Sequence, residues 1–123
     1  MDSLDFKKGF TAFVGIGCAL PALALVAGFP DGICAGLGVP YEKWIKSEET
    51  KMGLYLYTVS DIALGALCGA AFLEKASTAL ALGAAAVHQV SYVSAATSVY
   101  GFRKEHIASV ITAAIAATLA LGE

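Results

Sequence analysis

Asp61 and His88 are the polar residues that sit least easily in this 123-residue chain. Each lies near the middle of a long apolar stretch, one between Lys51 and Glu74, the other between Ala76 and Phe102. An ionised carboxylate at the centre of a hydrocarbon layer costs about 2.5–3.5 kcal/mol even on lenient insertion scales, so such a residue is a functional candidate by default. The two stretches are joined by a short turn at Glu74-Lys75, which makes the helices antiparallel neighbours. Equal depth and adjacency predict direct or water-bridged pairing of Asp61 with His88. A shared proton would offset the burial cost, and its titration would belong to the pair.

Two tyrosines extend this constellation. Tyr57 stands four residues before Asp61 and Tyr92 four residues after His88, so each lies one turn away on the same helix face. Because the helices run in opposite directions, both phenols are displaced toward the same side. Ser60 and Ser91 sit beside the pair, and Trp44, Arg103 and His106 lie toward the side that the phenols face. The expected catalytic set is Asp61, His88, Tyr57 and Tyr92, with Ser60, Ser91, Trp44, His106 and Arg103 contacting a substrate. A carboxylate and an imidazole can attack a carbon or activate water. Phenols can donate to an oxygen on which charge develops. Epoxide opening needs both. Soluble epoxide hydrolases of unrelated fold use an Asp, a His and paired tyrosines, a likeness of chemistry alone. Intramembrane Asp and His also build proton relays and ion sites, and a buried pair can simply fix helix register.

The elements that must position these residues are legible from composition. Hydrophobic residues make up 58% of the chain and charged residues 15%, with a mean hydropathy of +0.72. A soluble domain is about 45–50% apolar and about 25% charged. Charges punctuate four apolar stretches, at 9–29, 52–73, 77–100 and 106–122. The first three reach the roughly 20 residues a spanning helix needs, and the last is marginal. None shows the polar stripe of a soluble bundle helix. The expected fold is therefore all-α, an integral membrane four-helix bundle with a long interfacial connection between helices 1 and 2. Gly65 and Gly69 form a small-xxx-small pair, and Ala81, Ala84, Ala85 and Ala86 add smooth surface for close packing. Pro21 is expected to kink the first span.

The connection from Pro30 to Lys51 carries a Pro-Asp-Gly turn, an apolar piece and an amphipathic tail with Tyr41 and Trp44. It reads equally as a re-entrant or interfacial lid and as a plain loop. Both termini fall on one side with Lys7, Lys8 and Lys75, while Lys43, Lys46, Lys51, Arg103 and Lys104 fall on the other. The larger connections thus face the cytosol by the positive-inside rule. The first helix is expected to act as an uncleaved anchor, in the endoplasmic reticulum if the cell is eukaryotic. The net charge of -2, without a basic cluster, speaks against nucleic acid. Cys18, Cys34 and Cys68 make no CxxC or metal spacing, so neither metal nor cofactor is called for. The expected partners are the lipid bilayer and a lipophilic small molecule. For transport, a homo-oligomer would supply the path that four short helices lack.

The run Thr58-Val59-Ser60-Asp61-Ile62-Ala63-Leu64-Gly65 resembles the "(R)D-x-A-x-G" segment of a family of small four-helix membrane proteins. Gly38-Val39-Pro40 and the turn from Gly101 to His106 are similar to that family as well, and the resemblance spans nearly the whole chain. Relatives in fungal polyketide and terpenoid pathways are associated with epoxide hydrolysis and cyclisation, as in aurovertin- and citreoviridin-type polyene pyrones. The resemblance implies a catalytic pair of Asp61 and His88, with Tyr57 or Tyr92 activating the epoxide oxygen. The chain departs from the pattern at Ser60, where an arginine is common, and at His88, where an aspartate is common.

Overall fold

Charge, capping hydroxyls and glycine interrupt the apolar stretches, and the helices end at those interruptions. A computed structural model describes residues 3–122. Six helices follow one another: α1 (Ser3–Val26), α2 (Asp31–Leu37), α3 (Tyr41–Trp44), α4 (Glu48–Phe72), α5 (Thr78–Tyr100) and α6 (Glu105–Leu121), with no strand among the described residues. Ser47 and Ser77 cap α4 and α5, accepting from the backbone N–H of Thr50 at 3.2 Å and Leu80 at 3.1 Å. Each cap satisfies a donor that the first helical turn leaves open. At the other end of α4 the chain reverses through Glu74 at φ 62°, and the Lys75 N–H bonds back to the Ala70 carbonyl at 2.8 Å. That reversal sets α5 antiparallel to α4. α1 stays helical through Pro21 as far as Val26.

Three helices, α1, α4 and α5, are long and apolar enough to cross a membrane. The fourth expected span falls short: α6 has 17 residues, about 25 Å of rise against the roughly 30 Å of a hydrocarbon core.

The packing departs from that of a water-soluble protein. Polar side chains, including Thr11, Thr58, Asp61, Gln89 and His106, are buried together with alanines and with Leu54, Leu82 and Val39. Phe13, Ile16, Leu20, Val59, Val87 and Val90 point outward and are each more than half exposed. Water would favour the reverse, whereas hydrocarbon rewards small residues at helix contacts and polar groups hidden within.

α1 lies closely along α4, and α6 along α5, while α4 and α5 meet over a shorter stretch. The α1–α4 approach depends on Gly15 and Gly65. A Cβ on Gly65 would stand 2.5 Å from the Ala19 Cβ, and one on Gly15 would stand 2.8 Å from the Cys68 Cβ. The expected Gly65/Gly69 pair is only half used, because a Cβ on Gly69 would meet nothing within 4 Å. The contact motif therefore runs across two helices rather than along one.

The long connection is neither a plain loop nor a single lid. It folds into α2 and α3, with Ile33, Cys34 and Leu37 buried against Ala22, Leu25 and Leu54, and Val39 buried as well. Gly38 ends α2 at φ 75°, a conformation costly for any residue with a Cβ. A side chain there would also meet the Arg103 Cβ at 3.2 Å.

Replacing Gly65 by Ala is expected to destabilise the detergent-solubilised protein by about 1–3 kcal/mol through overpacking. Gly69→Ala, a helix-favouring change into open space, is expected to be neutral or stabilising by up to about 1 kcal/mol. Unfolding titrations of the two variants read the contrast directly.

Candidate functional site

α4 buries one stripe, formed by Leu54, Thr58, Asp61, Leu64 and Cys68. The i, i+3, i+4 spacing of that stripe turns Asp61 inward. α5 buries Ala81, Leu82, Ala85, Gln89 and Tyr92 on its own inner face, and His88 stands at the border of it. His88 Nε2 and Asp61 Oδ1 lie 2.8 Å apart, with the carboxylate side chain only 4% exposed and the imidazole 16%. With an ionised Asp61, Nε2 carries the proton and donates it, because a carboxylate can only accept. Nδ1 is then the free lone pair.

The Tyr57 ring stacks on the imidazole, with centroids 4.9 Å apart and planes 10° from parallel. Its phenol and the Cys18 thiol lie close to the Asp61 carboxylate. Polar groups from α1, α4 and α5 thus gather around the carboxylate, and His88 supplies its hydrogen bond, which is how a buried charge is tolerated. Tyr92 packs against Tyr57 at 4.9 Å.

A cavity of about 330 Å³ opens along the loose α4–α5 seam. Tyr57, Ser60, His88 and Ser91 line its polar wall, and Leu37, Trp44, Leu54, Ala96 and Val99 make most of the remainder apolar. Asp61 does not line it. The carboxylate instead borders a separate chamber of about 130 Å³ on the side of α1, α2 and α6. The pair therefore forms a partition, with the imidazole facing one space and the carboxylate the other.

The structure divides the nine expected site residues. Asp61, His88, Tyr57, Ser60, Ser91 and Trp44 converge on the pair or on the 330 Å³ cavity. Tyr92 contributes its ring to the cavity, but its hydroxyl donates to the Gly36 carbonyl at 3.0 Å and bonds Ser109 Oγ at 2.6 Å. Its proton is committed to tying α5 to α2 and α6, which corrects the expectation of a phenol held ready for an alkoxide. His106 is fully buried away from the cavity. Its Nδ1 accepts from the Arg103 backbone N–H at 3.1 Å, and its Nε2 donates to the Leu37 carbonyl at 2.7 Å. These two bonds fix one neutral tautomer and clamp the end of α2 to the start of α6. Arg103 packs its side chain on Gly38, outside the cavity lining. Neither His106 nor Arg103 is placed to touch a guest, because the turn preceding α6 folds back onto α2 rather than over the seam.

Two further residues, Gln89 and Ser109, border the smaller chamber beside Asp61. Gln89 carried a signal, an amide beside His88 in mid-span. Ser109 carried none, since a lone serine in an apolar helix usually bonds its own backbone. Among the described residues no set of three His, Cys, Asp or Glu side chains gathers at metal-binding distance. Burial pushes the Cys34 thiol in α2 up to about 11, with Asp31 and Glu42 adding to the effect. It is a packing residue, not a thiolate nucleophile.

Comparison with protein-family models, curated proteins and solved structures gives no match to this chain. The chemistry must be argued from the site itself.

Tyr92→Phe keeps the ring and removes the ties to Gly36 and Ser109, so it is expected to cost about 1–2 kcal/mol of stability. His106→Ala strands the Leu37 carbonyl and the Arg103 N–H and opens a cavity, at about 2–4 kcal/mol. In both variants limited proteolysis should cut the segment 27–47 faster than in the parent.

Proposed function

We propose that the protein is a membrane-embedded acid/base enzyme that opens an epoxide in a lipophilic small molecule. The observation that carries this reading is the 2.8 Å bond between Asp61 and His88 at the wall of a mainly apolar 330 Å³ cavity. A space of that size suits part of a small organic guest, and the seam between α4 and α5 gives it lateral access from the bilayer. In this reading α1, α4 and α5 cross the membrane and α6 completes a four-helix bundle, with the bilayer thinned locally or the flanking polar residues drawn to its surface. The resemblance to the epoxide-opening proteins of fungal secondary metabolism points to the same chemistry, and in a eukaryotic cell the setting would be the endoplasmic reticulum.

The roles follow from the two nitrogens. Asp61 holds Nε2–H and stabilises the imidazolium, as the carboxylate of a triad does. His88 Nδ1 takes a proton from water or from a hydroxyl of the substrate. That oxygen bonds to an epoxide carbon as the carbon–oxygen bond of the ring breaks, and the departing alkoxide takes the Tyr57 phenol proton. The imidazolium then returns its proton to the Tyr57 phenolate, leaving both groups as they began. Water as nucleophile gives a diol, and an internal hydroxyl gives a cyclic ether. Direct attack is favoured over an ester at Asp61, since the carboxylate borders the smaller chamber rather than the cavity that fits the guest.

A second reading draws on the partition itself. A pair with its carboxylate in one space and its imidazole in another can pass a proton between them, as proton-coupled carriers require. That reading expects pH-driven flux in liposomes without any organic substrate, whereas the enzyme reading expects none.

For the enzyme, Asp61→Asn and His88→Gln are each expected to lower kcat by about 10²–10⁴-fold on a lipophilic epoxide, with the fold preserved. Tyr57→Phe is expected to lower kcat more than Tyr92→Phe does. Product analysis in labelled water separates diol from cyclic ether, and undiminished turnover by Asp61→Asn would remove the pair from the mechanism.

A further inference from the structure

Gln89 is a buried polar residue that the chemistry above leaves unused. It follows His88 in α5 but faces α1, is 9% exposed, and donates its Nε2 to the Cys18 sulfur at 3.6 Å. Sulfur is a weak acceptor, and a primary amide offers two N–H donors and a carbonyl with two lone pairs. Among the described residues that thiol is its one hydrogen-bond partner. A buried amide left so poorly matched is costly, and the usual remedy is ordered water.

The space for such water is present. Gln89, Asp61, Cys18 and Ser109 all border the 130 Å³ chamber. An adjoining space of about 180 Å³ shares Gly17, Cys18, Gln89 and Ser109 with it and extends to Thr112. The two make one cleft between α1 and α6, polar at Asp61, Gln89, Ser109 and Thr112 and apolar at Phe13, Val14 and Ala108, large enough for a few water molecules. His88 borders neither part.

We propose that this cleft is a hydration chamber in which Gln89 anchors a small water cluster against Asp61, on the face opposite the substrate cavity. The cluster keeps the carboxylate ionised, which keeps the proton on His88 Nε2 and the lone pair on Nδ1. The other groups facing Asp61 are His88 and Tyr92 from α5, Tyr57 from its own helix and Cys18 from α1. α2 and α6 present the uncharged Ile33, Gly36 and Ser109 there. The kinetic consequence rests on the general-base reading above; the chamber itself does not.

Gly17 supplies a test that leaves the pair untouched. It is an exposed residue at the border of both parts of the cleft, and a Cβ built on it meets nothing within 4 Å, so Gly17→Leu places an apolar side chain at the mouth of the chamber. Gln89→Leu removes the anchor at nearly constant size. The carboxyl band of Asp61, assigned by its loss in Asp61→Asn, is titrated by infrared difference spectroscopy in nanodiscs. Both variants are expected to protonate Asp61 at a pH higher by about one unit or more, because dehydration penalises the charged form. The acid limb of the kcat profile should move with it, and KM should stay within about twofold, since neither residue lines the substrate cavity. An unchanged titration in Gly17→Leu would overturn the chamber. A shift in Gly17→Leu but not in a folded Gln89→Leu would overturn the role given to Gln89, and if Gln89→Leu does not fold, Gly17→Leu decides alone. Shifts in both variants, in a protein that turns over no epoxide, would leave the chamber standing and refute the enzyme reading.

Discussion

A carboxylate buried midway along an apolar helix has to be matched by donors, and the arrangement around Asp61 follows from that demand. Its bond to His88 requires α4 and α5 to lie antiparallel in one register, which the tight reversal at Glu74 imposes. Tyr57 stacks on the imidazole, so the ring is held in plane while its second nitrogen stays open. Cys18 brings in α1 from the far side. A cluster packed this closely is rigid, and a rigid base is what acid/base chemistry needs.

Packing elsewhere opens the cavity. Glycine and alanine let α1 press on α4 and α6 on α5, so the four long helices behave as two tight pairs. The seam between the pairs carries the bulkier Tyr57, His88 and Tyr92, which hold α4 and α5 apart. Close contact in two places and a spacer in the third leave a cavity where the polar residues lie. Many large apolar side chains, such as Phe13, Ile16 and Leu20, stand on the outer surface, where hydrocarbon can solvate them.

The short helices have a different task. α2 is inserted against α1 and α6 and is held by hydrogen bonds from His106 and Tyr92 to its last carbonyls. Two side chains of catalytic type are thereby consumed in construction. An imidazole or a phenol is available for chemistry only where its polar atoms are not already committed, and that distinction separates His88 from His106 and Tyr57 from Tyr92.

The sequence alone determined the helical class, the apolar stretches and the meeting of Asp61 with His88, because hydropathy, charge punctuation and helix period are local properties. It also placed Tyr57 one turn from the carboxylate, since a four-residue step fixes a shared face. It did not determine that α1 contacts α4 through Gly15 and Gly65 rather than through Gly65 and Gly69. Nor did it determine that His106 and Arg103 turn toward α2, or that Asp61 and His88 face different cavities. Those outcomes depend on how helices distant in the chain approach one another, and on which acceptor lies nearest a given hydroxyl or ring nitrogen once they have done so. A side chain's face can be read along one helix; its partner across a gap is decided by tertiary packing.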